Sequence, residues 1–171
     1  MELPVLVIGE ALIDIVIPYS GETVEHVGGS PANVAIGLAR LGHPTALATH
    51  IGLDARGKRI AGLLSDEQVA LTAGSDRASR TPTAAARLDA NGAASYEFDL
   101  EWRLDPDLEV DAGHVHTGSI AATLPPGGEA VAAVLARARR SATISYDPNA
   151  RPSIVGTADQ VRGAMESLVA A

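Results

Sequence analysis

Val27-Gly28-Gly29-Ser30-Pro31-Ala32-Asn33-Val34-Ala35-Ile36-Gly37-Leu38-Ala39-Arg40-Leu41-Gly42 reads as a tight turn running into a short helix. Gly28 and Gly29 permit a turn closed to residues with a Cβ and let a ligand approach the backbone. Ser30 is expected as the N-cap and Pro31 as the first helical residue, where a missing N–H costs nothing. Ala32, Ala35, Ile36 and Ala39 recur at helical spacing, giving a small-residue face that can sit close against a sheet. Gly42 falls where a helix commonly closes on a left-handed residue. Asn33 lies in the first turn, beside N–H groups without helical acceptors, and its amide both donates and accepts. By itself the stretch is either a packing turn of an α/β fold or a ligand-binding one.

On its N-terminal side, Leu3 to Ile8 is a short apolar run ending at Gly9, consistent with a buried parallel strand. Ala11 to Ile17 continues as strand, and alternation places Asp14 on one face with Leu12 and Val16. A turn at Pro18 to Gly21 leads to a return segment ending at Val27. On the C-terminal side, Thr45 to Ile51 is expected as strand, Ala55 to Leu64 as helix and Val69 to Ala73 as strand. Thr83 to Leu88 and Ala94 to Leu100 form a hairpin about Asn91-Gly92. His114 to Thr117 (strand), Gly128 to Arg139 (helix), Thr143 to Tyr146 (strand) and Ala158 to Ala171 (helix) complete the order. The alternation predicts a parallel sheet covered on both faces. The 11–17, 22–27 and 83–101 segments form a small antiparallel sheet inserted into it.

A chain of 171 residues suggests one domain of ordinary size, or one plus a small appendage. Hydrophobic residues make up 46%, enough for a core, yet aromatics are only 3%, so alanine, valine and leucine must fill it. There is no run of about eighteen apolar residues that could span a membrane. A formal charge of −8 argues against a nucleic-acid partner. No cysteine is present, which excludes disulfides and thiolate metal sites. Met-Glu-Leu-Pro at the start lacks the basic region of a signal peptide, so a cytoplasmic location is expected.

Several groups are candidates for chemistry. Asp14 is an acid on an apolar strand, either a charge guarding a sheet edge or a group that meets a polar ligand. Tyr96 and Phe98 share a strand face with Leu100, for packing or for a ligand. Gly52-Leu53-Asp54-Ala55-Arg56-Gly57-Lys58 imitates the start of a phosphate-binding loop, but Arg59 stands where serine or threonine must reach magnesium. His114 and His116 lie on one strand face with no third ligand near in sequence, which favours structural histidines and no metal site. Asp147-Pro148-Asn149-Ala150-Arg151-Pro152 comes directly after a strand, where open α/β sheets bind ligands. Arg151 there suits a phosphate or carboxylate, or is a surface arginine.

Gly28-Gly29-Ser30-Pro31-Ala32-Asn33-Val34-Ala35, with Gly42 and Gly52 beyond it, resembles the first signature of the ribokinase-like (PfkB) sugar kinases. The wording looks most like the fructokinase branch, and the likeness runs from Gly9-Glu10 to Asp147-Pro148-Asn149 and Arg151-Pro152. The resemblance implies an α/β three-layer ribokinase-like core, mostly parallel, with a small antiparallel β lid. It implies ATP-dependent phosphorylation of a sugar hydroxyl, fructose first, with ATP and Mg2+ as cofactors. By the same likeness Asp14 hydrogen-bonds the sugar, and Gly28, Gly29 and Asn33 line its pocket. Tyr96 and Phe98 close on its apolar face from the lid, and Arg151 lies at the rim between sugar and nucleotide. Ser30 stands where several members carry lysine, which leaves the sugar open.

The family's second signature, Gly-Ala-Gly-Asp, supplies the catalytic base and anion hole far toward the C-terminus. Ala73-Gly74-Ser75-Asp76 is the nearest string, but Arg77-Ala78-Ser79-Arg80-Thr81-Pro82 after it does not read as an apolar helix. Residues 1–171 are therefore expected to be the N-terminal, sugar-binding part of such a kinase, with the C-terminal half, the base and the ATP site absent. Such a chain is expected to be inactive alone, and to pair as a homodimer through the lid sheet or an exposed core edge. The alternative is a truncated, non-catalytic sugar-binding or regulatory relative.

Overall fold

The computed structural model describes residues 3–149, 154 and 157–170. Five parallel strands make the main sheet: β1 (Val5–Ile8), β4 (Thr45–Ala48), β5 (Val69–Leu71), β8 (His114–Gly118) and β9 (Thr143–Asp147), in the order β5-β4-β1-β8-β9. Alternation along β1 divides the core. Val7 and its register partner Leu47 face α1 (Ser30–Arg40) and α2 (Ala55–Asp66), packing with Ala32, Ala35, Ile60 and Leu64. Leu6 and Ile8 face the other way with Val115, onto Val131, Val134 and Leu135 of α3 (Gly127–Ala138). A last helix, α4, spans Ala158–Ala170. Small residues on α1 let it lie close to the sheet, which makes up for the scarcity of aromatic rings.

The glycine turn departs from expectation in one respect. Gly29, at φ 106, precedes the helix, and Ser30 is the first helical residue without a side-chain cap bond. Serine fits both places, and the left-handed Gly29 backbone decides between them. Pro31 still costs no hydrogen bond, because the first four helical N–H groups have no helical acceptor. The closing glycine is where the sequence puts it. Gly42 has φ 89, its N–H reaches the Ala39 carbonyl and that of His43 reaches Leu38, a left-handed closure.

The second sheet contains β2 (Leu12–Ile17), β3 (Val24–Gly28), β6 (Thr83–Leu88) and β7 (Ala94–Asp99), in the order β3-β2-β6-β7. It is mixed, not purely antiparallel as expected. The β2–β3 and β6–β7 pairs are antiparallel, but β2 and β6 run parallel. Both strands leave the core side by side, where Ile13 N–H bonds the Pro82 carbonyl at 3.0 Å, and each returns through its own partner. Local hairpin signals cannot report that long-range pairing. The β6–β7 turn closes as the Asn-Gly pair predicts, with Gly92 at φ 80 and Asp89 Oδ1 accepting from the N–H groups of Asn91 and Ala93.

Asp54 settles the role of the loop that imitates a phosphate site. Its carboxylate caps α2 through Gly57 N–H at 2.9 Å and takes both the N–H and hydroxyl of Thr81 at 2.8 Å. Those donors, Gly57 first, hold its carboxyl below the ordinary value of 3.8. Asp54→Ala is expected to remove about 1–2 kcal/mol, a fall of several degrees in Tm by thermal melting. The folded group has the lower pKa, so this difference holds at neutral pH. It fades as acid below the ordinary value protonates the wild-type carboxylate.

Candidate functional site

Between the carboxyl end of β1, the start of α1 and the inner face of the second sheet lies a cleft of about 790 Å³. Glu10, Asp14, Gly29, Asn33, Tyr96 and Phe98 line it. The sheet register explains how they meet. Asp14 is opposite Ala84, and Ala84 opposite Phe98; in the next row Val16, Ala86 and Tyr96 align. Two alanines in the middle keep the floor low, so the carboxylate and both rings face one space. The rings stack with centroids 6.2 Å apart and planes 10° apart, and Tyr96 is 66% exposed.

Asp14 stands on an interior strand, with β3 on one side and β6 on the other, and its side chain is exposed within the cleft. An edge-guarding charge is thereby excluded. A Cβ on Gly28 would overlap the Asp14 carboxylate where it now lies, so that side chain would have to turn. A Cβ on Gly29 would overlap the Glu10 carbonyl and crowd Ala11, so the turn rests directly on the chain leaving β1. That contact points the start of α1, with Asn33 in its first turn, at the cleft. Of the sequence-predicted residues, Asp14, Gly29, Asn33, Tyr96 and Phe98 meet at this cleft, while Gly28 is buried beside Asp14 and is not part of the lining. Arg151 lies outside the described residues, while Asn149 reaches the rim of the cleft.

Glu10 is the functional candidate that sequence reasoning misses. Only 6% exposed, it lines the cleft and accepts the Ala121 N–H at 3.2 Å, while the Trp102 indole N–H donates to the Ala121 carbonyl at 2.9 Å. Ala121 is held from both sides, next to Ile120 in the cleft wall. The signal is an acid just after a buried strand, at the carboxyl end where such sheets bind ligands.

The other candidates take structural places. His114 and His116 both hydrogen-bond Ser145 Oγ, at 2.8 and 2.9 Å, and His114 also meets Thr143 Oγ1 at 2.7 Å. Burial pushes the His116 imidazole below its ordinary value. Among the described residues no group of three histidine or carboxylate side chains is placed to hold a metal ion. Ala73-Gly74-Ser75-Asp76 is a turn in which Ser75 Oγ accepts the Thr49 N–H at 3.2 Å. It opens no helix and makes no anion hole. Among the described residues no helix is long and apolar enough to cross a membrane.

The sequence pattern of the pfkB family carbohydrate kinases matches residues 3–170. The fructokinase of Klebsiella pneumoniae is 30% identical over 173 residues, covering 96% of this chain and 56% of that protein. The crystal structure of fructokinase from Vibrio cholerae in apo form superposes with a TM-score of 0.82 at 26% identity, over 99% of this chain and 61% of that one. A double mutant of the Vibrio cholerae enzyme, solved with fructose, ADP and potassium ion bound, superposes with a TM-score of 0.80 at 25% identity, over 98% and 57%. The chain spans about half the length of the curated relatives it matches.

Proposed function

Because the chain belongs to the pfkB family of carbohydrate kinases, we propose that its cleft is the sugar site of a kinase acting on a fructose-like substrate. The observation that carries this reading is the convergence of Asp14, Asn33 and the stacked Tyr96–Phe98 pair on one cleft. A carboxylate offers acceptors to neighbouring hydroxyls, an amide adds a donor and an acceptor, and flat rings cover the C–H face of a pyranose or furanose. Glu10 supports the wall against which the sugar rests. The fructose bound to the Vibrio cholerae relative supports the choice of sugar.

In the proposed reaction, the sugar hydroxyl attacks the terminal phosphorus of magnesium-bound ATP and ADP leaves. The chemistry needs a carboxylate base, donors at the transferred phosphoryl group and a metal-bound nucleotide. The described residues fit the first substrate and not the second. Among them, the glycine turn that opens an α-helix at the cleft is the one at Gly29, which the sugar reading already uses. The base and nucleotide site are therefore proposed to lie in the remainder of a full-length kinase, and this chain alone is a sugar-binding unit.

Calorimetry tests this with fructose and a non-hydrolysable ATP analogue added separately to the chain. Fructose is expected to bind and the analogue not to bind. Nucleotide binding without sugar binding would contradict the reading. Tyr96→Ala is expected to weaken fructose about 3- to 10-fold in the same titration. Its melting temperature should stay within about a degree of the parent, since an exposed ring contributes little to the fold.

A further inference from the structure

We propose that His50 is a proton-sensitive latch: when charged, it draws the Glu101 carboxylate from Ser79 and loosens the hinge of the second sheet. His50 lies just beyond β4 and is 6% exposed, and its Nε2 has no hydrogen-bond partner. Among the described residues only the Tyr146 hydroxyl shares that condition. A buried polar nitrogen left unpaired is costly, so its position calls for a reason.

Nε2 faces Glu101 Oε1 at 3.8 Å, beyond hydrogen-bond range, across a void of about 10 Å³ lined also by Glu10, Trp102 and Ile120. Glu101 is where the second sheet is tied. Its other oxygen accepts the Ser79 hydroxyl at 2.6 Å, and Arg103 Nε lies 3.4 Å from Oε1. Ser79 precedes β6 and Glu101 comes after β7, so this one bond joins the two segments by which that hairpin leaves and rejoins the core. Arg80 with Asp99 makes a second tie at 2.7 Å just above it.

The charged groups around the imidazole are Glu101, Arg103 and, across the void, Glu10. Burial pushes His50 below its ordinary value of 6.5, outweighing the attraction of Glu101. The tied arrangement therefore favours neutral imidazole. A loosened hinge that hydrates His50 restores the ordinary value. The tied state is fully favoured above 6.5 and is lost as pH falls through the lowered value.

The only tryptophan in the chain, Trp102, adjoins Glu101 and reports on this hinge together with the α3 core it packs in. Its fluorescence, measured from about pH 8 to about pH 5, is expected to change reversibly with a midpoint below 6.5. NMR of the wild-type His50 imidazole should titrate at the same midpoint. His50→Gln is expected to abolish the transition, and Glu101→Gln to move it to lower pH. Separate midpoints for ring and fluorescence, or a transition that persists in folded His50→Gln, would overturn the proposal.

Its consequence for ligand rests on the sugar reading. Fructose affinity should fall several-fold from about pH 7.5 to about pH 5.5 and stay level in His50→Gln. His26→Gln is carried in both proteins, because His26 lies opposite Asp14 in register. A flat fructose profile in the protein that keeps His50 would overturn the coupling to the cleft. Failure of fructose to bind at any pH removes the sugar reading, while fluorescence and imidazole titration still decide the latch.

Discussion

Asp14→Ala is expected to weaken fructose binding at least about a hundredfold, roughly 3 kcal/mol, because two charge-assisted hydrogen bonds are lost at once. The strand should survive the change. Asp14 is exposed in the cleft and supports no buried packing, while Leu12 and Ile13 beside it hold β2 to the core. Asp14→Asn keeps the shape and one acceptor and is expected to lose about tenfold. Titration calorimetry separates the two, with a melting curve to show that each variant remains folded. Undiminished affinity in folded Asp14→Ala would remove the carboxylate from the site.

Gly29→Ala is expected to cost the fold about 3–5 kcal/mol. Two independent costs add. The backbone sits at φ 106, where residues with a Cβ are strained, and the new methyl would meet the Glu10 carbonyl and Ala11 Cα. Those obstacles are main-chain atoms and cannot turn aside. A loss of that size is a large fraction of an ordinary domain's stability of about 5–15 kcal/mol. Gly37→Ala is the comparison within the same helix, since open space surrounds its Cβ position. It should gain up to about 1 kcal/mol by urea denaturation.

Local features are legible in the sequence because their causes are local. The apolar run of β1, the Asn-Gly turn and the Gly42 closure each arise from a few neighbouring residues. Asp14 is conspicuous as a charge in an apolar strand, and alternation gives its face. What is not legible depends on partners far away in sequence. The parallel β2–β6 pairing needs knowledge that both strands leave the core together. Whether Asp14 lies on an edge or an interior strand depends on that pairing. Glu10 and His50 look ordinary in sequence, and only the packing of Trp102 and Ala121 against them reveals their burial. Ser30 sits one residue from its expected place because serine suits both the cap and the first turn, and the choice rests on one backbone angle at Gly29.

One cleft, floored by β2 and closed by the glycine turn, is proposed to receive a polyhydroxy sugar. An isotope-labelled NMR titration with fructose tests it residue by residue. The amides of Gly29 and Asn33, the Asn33 side chain and the rings of Tyr96 and Phe98 should shift together along one saturating curve. Shifts confined to other parts of the chain, or none at saturating sugar, would contradict it.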